Sequence, residues 1–373
     1  MPEVEFVPAE VDPSYLQWVR ELLAGVFAID DITTGVMGRR TTRVRGRFLV
    51  EADSAYERLA PQFRERGRTL LFRRDGDRAS ILIVDGVIHP KPDKLWVPIV
   101  LAVATVLSVL FTYTILWSGI EPTLANIMGN LGGGLQFTVS LLSILVCHEL
   151  GHYFTARHYG VAVSLPYLIP FPLNIFGTMG AVIRMKDVPP SRRAMLRIGA
   201  AGPIAGMIVA LPIVILGLSL SEVVALPPGG GYMMEGNSLL YLGLKYLVFG
   251  RWLPMGNVDV LMHPIAFAGW AGMLVTFFNL IPAGQLDGGH VACAVLGPKA
   301  RYLTWAIIGG LFLLGIWWQT WIIWAVIIFI FSRQQAVPLN DVSPLKRGDI
   351  VIAVILLFLL IVTLTPVPMR LVG

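Results

Sequence analysis

The chain has 373 residues, 55% of them hydrophobic and only 14% charged, with a mean hydropathy of +0.70. These values exclude an ordinary soluble enzyme and describe a polytopic membrane protein. The net charge of +5 does not call for a nucleic-acid partner, because the basic residues of the apolar half gather at 184–197 and 333–347, as cytoplasmic loops do.

Residues 1–94 read as a small soluble α+β domain. Leu16, Val19, Leu22, Leu23 and Val26 recur at helical spacing and predict an amphipathic helix over 13–29. Residues 47–50 and 70–73 read as strands, 54–65 as a helix, and 80–84 with 87–89 as a hairpin turning at Asp85-Gly86. Pro90-Lys91-Pro92 closes the domain. The first residues are acidic and lack a cationic, apolar leader, so no signal peptide is expected. Cys147 and Cys293 imply no disulfide framework.

The first apolar span is bracketed by Trp96 and Trp117, about 32 Å apart on a helix, close to the hydrocarbon thickness. A second span covers about 135–159. Pro166, Pro170 and Pro172 break the pattern, and 177–184 reads as extended chain, tolerated at membrane depth only against protein or a watery cavity. A third span, 194–220, carries Gly199, Gly202 and Gly206 at a spacing that lets helices approach closely. A fourth starts near Pro264 and passes Asn279, Pro282 and Asp287; 302–331 is long enough for two short helices turning near 317–321, and 350–366 is the last. Trp317, Trp318, Trp321 and Trp324 read as an interfacial belt. Asn340 and Asp341 read as capping or turn residues. No internal repeat is visible. With the N-terminal domain cytoplasmic, the second and fourth spans both run inwards, which puts their polar residues at similar depth.

The chemistry lies in His148-Glu149-Leu150-Gly151-His152, inside the second span. On a helix, residues four apart share one face with Cβ atoms about 6 Å apart. Two such imidazoles suit Zn²⁺, and the adjacent glutamate is placed to act as a base towards water. Cys147 is rotated about 100° from His148 and is read as packing. A catalytic zinc ordinarily takes a third protein ligand. His158 has the metzincin spacing, but this chain has Thr155 where that consensus turns at glycine, and an unbroken helix carries His158 about 120° off the ligand face. His290 is a further candidate, its direction left open by Gly288 and Gly289. Asp287 is favoured, because a carboxylate near a helix break in an apolar segment needs a partner, and a metal serves.

The histidine pair followed by Asn279…Pro282…Leu286-Asp287-Gly288 resembles the site-2 protease family of intramembrane zinc metalloproteases over roughly 95–345. The stretches from Gly177 to Arg184, Gly202 to Gly206 and Pro338 to Pro344 look like its archaeal, cyanobacterial and plastid branch, without a PDZ domain. The resemblance implies a mainly helical, site-2-protease-like membrane core at 95–345 with a re-entrant extended segment; the N-terminal soluble α+β domain at 1–94 and a last membrane helix within 346–373 are read from the residues themselves. It implies one zinc per chain on His148, His152 and Asp287, with Glu149 as the catalytic base and Asn279 near substrate; His290 stands where arginine is often expected, so its role, supporting a ligand or touching substrate, stays open. The extended chain at Gly177, Thr178, Met179, Gly180 and Ala181 is suited to pair with an unwound substrate. The expected partners are membrane proteins with a transmembrane segment, the bilayer and a second copy of the chain, in the plasma membrane of a prokaryote. A transporter or an inert metal-binding relative is the competing reading, since broken helices also hold ions in transporters.

Overall fold

The computed structural model describes residues 13–35, 41–116, 123–227, 229, 231–332 and 337–372. Trp117 and Arg333 lie outside the described residues. The chain divides into two units: 1–91 with 187–195 and 337–346, and the remainder from 92 onwards. The sequence places the first boundary close by, at 94, but gives no sign that two distant segments join the N-terminal unit.

That unit begins with α1 (Pro13–Leu23), β1 (Phe27–Thr34), β2 (Thr41–Phe48), α2 (Ala52–Glu65), β3 (Arg68–Asp75) and β4 (Arg78–Asp85). The first helix stops six residues short of the expected end, because Gly25 at φ 73° turns the chain into a strand. The hairpin partner of β4 is β3, turning at Gly76-Asp77, and residues 86–94 form neither strand nor helix. The all-antiparallel sheet has the order β1-β2-β4-β3. Alternate strand residues, among them Val44, Leu70, Phe72, Ile81 and Ile83, bury against Val19 and Leu23 of α1 and Leu59 and Phe63 of α2. Burial pushes the Tyr56 hydroxyl up to about 12.

The open edge of β3 is covered by the chain itself. Phe72 N–H donates to Leu339 O at 2.9 Å and Asp341 N–H to Phe72 O at 3.2 Å; Leu339 and Asn340 N–H then donate to Pro189 O and Pro190 O, both at 3.0 Å. Asn340 is fully buried at this crossing. Its Nδ2 donates to Ser343 Oγ at 2.7 Å and its Oδ1 accepts from the Val342 and Ser343 N–H groups. It is therefore a turn residue, and one that also ties down a sheet edge.

The second unit is mainly helical: α3 (Trp96–Phe111), α4 (Leu124–His158), β5 (Tyr167–Pro170), β6 (Thr178–Val182), α5 (Arg192–Ser219, its first turn counted with the N-terminal unit), β7 (Glu222–Ala225), β8 (Tyr232–Glu235), α6 (Leu239–Phe249), β9 (Val258–Leu261), α7 (Pro264–Leu280), α8 (Asp287–Leu296), α9 (Ala300–Leu314), α10 (Thr320–Phe331), α11 (Arg347–Thr363) and β10 (Met369–Val372). Residues 96–116, α4 and α5 are each long and apolar enough to cross a membrane, and α6, α7 and α10 are shorter apolar helices. Helix α4 starts eleven residues before the expected 135 and runs straight through Gly132-Gly133-Gly134. A Cβ on Gly134 would press on Thr114, so this glycine marks a close helix crossing. The expected pair of short helices after 300 is present as α9 and α10. The tryptophans expected as an interfacial belt are split: Trp317 is exposed, whereas Trp321 is fully buried, its Nε1 donating to Pro366 O at 2.7 Å.

Strands β5 and β6 form an antiparallel hairpin. Gly177 at its turn has φ 71°, and a Cβ there would lie 2.5 Å from the Val109 Cα of α3. Ser108 Oγ donates to Gly177 O at 2.6 Å and Thr112 Oγ1 to Pro172 O at 3.1 Å, so the first apolar helix holds the turn by side-chain bonds.

Candidate metal centre

Helix α4 presents Leu141, Leu145, His148 and His152 along one buried stripe, and the two imidazoles lie one turn apart on it. Asp287 arrives from the other side. The chain leaves α7 at Leu280, turns through Pro282 and Gly284 (φ 60°), and starts α8 with Asp287 as its first residue. Gly288 and Gly289 make this turn sterically feasible, because a Cβ on either would run into carbonyl groups of 280–284.

His148 Nε2 lies 3.1 Å from Asp287 Oδ2, His152 Nε2 lies 3.2 Å from the same oxygen, and the two Nε2 atoms are 3.2 Å apart. Zinc bonds of about 2.0–2.1 Å in a tetrahedron put ligand atoms about 3.3 Å apart, so this triangle has the size of one tetrahedral face. The donor set, two imidazoles and a carboxylate, also matches the ion's preference. His152 Nδ1 lies 2.7 Å from Ile198 O of α5; donation there keeps the ring's proton on Nδ1 and leaves the Nε2 lone pair for a cation.

Helix α5 forms the wall behind the site. A Cβ on Gly202 would overlap the His152 ring, one on Gly206 would lie 3.1 Å from His148 Nδ1, and one on Gly199 would lie 3.2 Å from Asp287 O. The glycine row read from the sequence as a helix contact thus makes that contact against all three candidate ligands.

His158 ends the unbroken helix α4 and is exposed, outside the group of donors. His290 lies one turn beyond Asp287 with its Cβ against Gly199 and is likewise outside that group. A cavity of about 200 Å³ opens beside the triad, lined by His148, Glu149, Asn279 and β6 from Thr178 to Val182. Glu149 is buried and its carboxylate accepts a hydrogen bond from the Ile183 backbone, one residue beyond β6. Of the residues expected to meet a substrate, Thr178, Met179, Gly180, Ala181 and Asn279 line this cavity, whereas Gly177 packs on α3. The sequence reading omits Asn174, Phe278 and Trp324, which also line it. Asn174 fixes the hairpin, its Nδ2 donating to Thr178 O at 3.2 Å. No motif in the sequence marks these three as a group.

A mainly helical, membrane-embedded protein with a His-His-Asp site suited to a metal, and a glutamate in the adjoining cavity, is the class that fold and site define. Residues 136–316 match the profile of "Peptidase family M50". It is 31% identical over 251 residues to a probable zinc metalloprotease of Arabidopsis thaliana, EGY2, chloroplastic, a match covering 65% of this chain and 44% of that protein. A rice relative, the probable zinc metalloprotease EGY1, chloroplastic, of Oryza sativa subsp. japonica, is 32% identical over 67% of this chain and 43% of its own length. The chain thus spans less than half the length of these two relatives. Among solved structures, the site-2 protease from Methanocaldococcus jannaschii aligns with 65% of this chain and 93% of its own, at 19% identity and a TM-score of 0.34, too slight a likeness to bear on the fold. The family resemblance read from the two motifs therefore holds. The chloroplastic names give no support to the expected prokaryotic plasma membrane.

Proposed function

We propose that this chain is a zinc metalloprotease that cleaves peptide bonds within or beside transmembrane segments of membrane-protein substrates. The observation that carries the reading is the meeting of three ligand-type atoms from α4 and α8 at a cavity that also holds Glu149 and β6. His148, His152 and Asp287 would hold one zinc per chain, as the one such group of donors among the described residues. The names of the relatives support zinc as the ion.

Held by His148, His152 and Asp287, a zinc ion would supply Lewis-acid chemistry, lowering the pKa of water towards about 7 and polarising a carbonyl. Glu149 takes the proton of the attacking water and delivers it to the leaving amine. Asn279 donates a hydrogen bond to the carbonyl oxygen as negative charge gathers on it. A substrate helix must first give up its i→i+4 bonds, and β6 compensates: it pairs with β5 alone among the described residues, so its second edge offers backbone groups to an unwound segment. In this reading the hairpin re-enters the membrane, and the N-terminal domain lies on the cytoplasmic side with the basic loops. That domain docks substrate or a regulator, or joins two copies of the chain.

The test is a purified single-span substrate in detergent. Wild type should cleave it, and Glu149→Gln should keep its zinc while losing at least about 100-fold in rate. Full cleavage by the glutamine variant would overturn the mechanism. Proline at Met179 or Ala181 should impair cleavage at unchanged zinc content; unaltered cleavage would count against pairing at β6.

A further inference from the structure

One wall of the cavity beside Glu149 carries no hydrogen-bonding groups: Leu141 and Leu145 of α4, and Leu274, Val275 and Phe278 of α7, whereas His148, Asn174, Thr178 and Asn279 line the rest. Trp324 of α10 backs this wall. Its ring lies on that of Phe278, with centroids 4.1 Å apart and planes 12° apart. Phe278 is held on a second side by Trp321, edge-on at 5.7 Å, and Trp321 is itself fully buried and anchored to Pro366 O. Neither ring of the stacked pair can turn aside without breaking contacts made by the other, so the wall is rigid.

Volume then limits what can enter. An apolar cavity of about 150 Å³ is filled by one benzene ring. The space here is about 200 Å³, and the scissile peptide group must occupy part of it to come within reach of Glu149. The remainder accommodates an aliphatic side chain but not an aromatic ring beside the backbone. Against the leucine, valine and phenylalanine wall a charged side chain would lose its solvation and meet no partner.

We propose that the Phe278–Trp324 pair sets the substrate preference of this site: the residue adjoining the scissile bond carries a small or aliphatic side chain, and aromatic or charged residues are rejected. This rests on the protease reading above. It assigns a role to a tryptophan that the sequence alone places at the membrane interface.

The experiment uses single-span substrates that differ only at the residues flanking the mapped scissile bond: alanine, leucine, phenylalanine or aspartate. Each is cleaved by wild type, Trp324→Phe and Trp324→Ala at matched zinc content. Wild type should prefer leucine over phenylalanine by about 10-fold or more, the scale set by hydrophobic pocket fit. Trp324→Ala should shrink that ratio by about 10-fold through a gain on phenylalanine, and Trp324→Phe should fall between. Should Trp324→Ala not fold, Leu145→Ala enlarges the same cavity without touching the stack and carries the same expectation. Equal cleavage of leucine and phenylalanine substrates by wild type, or an unchanged ratio in the enlarged variants, overturns the proposal while leaving the protease reading intact. No cleavage of any substrate by zinc-loaded wild type would sink both.

Discussion

Gly202 of α5 lies against the imidazole of His152 so closely that a Cβ at that position would overlap the ring. The helix that bears no ligand therefore fixes where one ligand stands. The same helix supplies the Ile198 carbonyl to His152 Nδ1, so it sets both the position and the tautomer of this ring.

Gly202→Ala should accordingly displace His152 and weaken zinc binding by about 10-fold or more, the scale seen when groups supporting a ligand are lost. Gly206→Ala should have a smaller effect, because its Cβ would meet His148 at 3.1–3.2 Å, a tightness that slight shifts relieve. Gly309→Ala on α9, with nothing within 4 Å, is the control and should leave the metal content unchanged. Metal analysis after competition with a chelator checks all three.

Asp287→Ala should lower zinc content sharply by removing one of three protein donors, while His158→Ala should not change it. Retention of full zinc by Asp287→Ala, or its loss from His158→Ala, would reassign the third ligand.

Asn340→Ala should destabilise the N-terminal unit. The substitution leaves the half-buried Val342 and the buried Ser343 N–H groups without their acceptor, at a cost of about 1–3 kcal/mol for an unsatisfied buried group. Hydrogen exchange should quicken at Phe72, Leu339 and Asn340, whose N–H groups make the added pairing. Unchanged protection there would mean that the side chain is dispensable to the join.

Lys245 of α6 is fully buried and donates to Glu235 at 2.8 Å and to Asp259 at 3.2 Å. Lys245→Met would leave two buried carboxylates facing each other without a cation, an effect of about 3–5 kcal/mol when one partner of a buried pair is removed. Thermal unfolding in detergent should show a clearly lower midpoint; an unchanged midpoint would mean that water already reaches the cluster.

What was legible in the sequence follows from the range of each signal. The spacing of His148 and His152, and a carboxylate at the broken helix around Asp287, are local patterns, and the structure brings these residues together. The long apolar helices were equally plain, though α4 extends past a glycine triplet that reads as a break, because close packing on Thr114 favours glycine there without ending the helix. The misread hairpin at 80–89 came from a turn-like Asp85-Gly86, whereas the actual turn, Gly76-Asp77, is just as short and joins two better-matched strands. The joining of 337–346 to β3 depends on backbone bonds between residues more than 260 apart, which side-chain pattern does not encode. The stacking of Trp324 is hidden for a related reason: composition marks an aromatic cluster, but only the helix crossing decides which ring meets Phe278.

The most direct test of the central claim is X-ray absorption at the zinc edge on the purified chain. The account predicts one zinc per chain with a shell of nitrogen and oxygen ligands at about 2.0–2.1 Å, and loss of that signal in the Asp287→Ala variant. A sulfur ligand at about 2.3 Å, or stoichiometric zinc bound without Asp287, would contradict it.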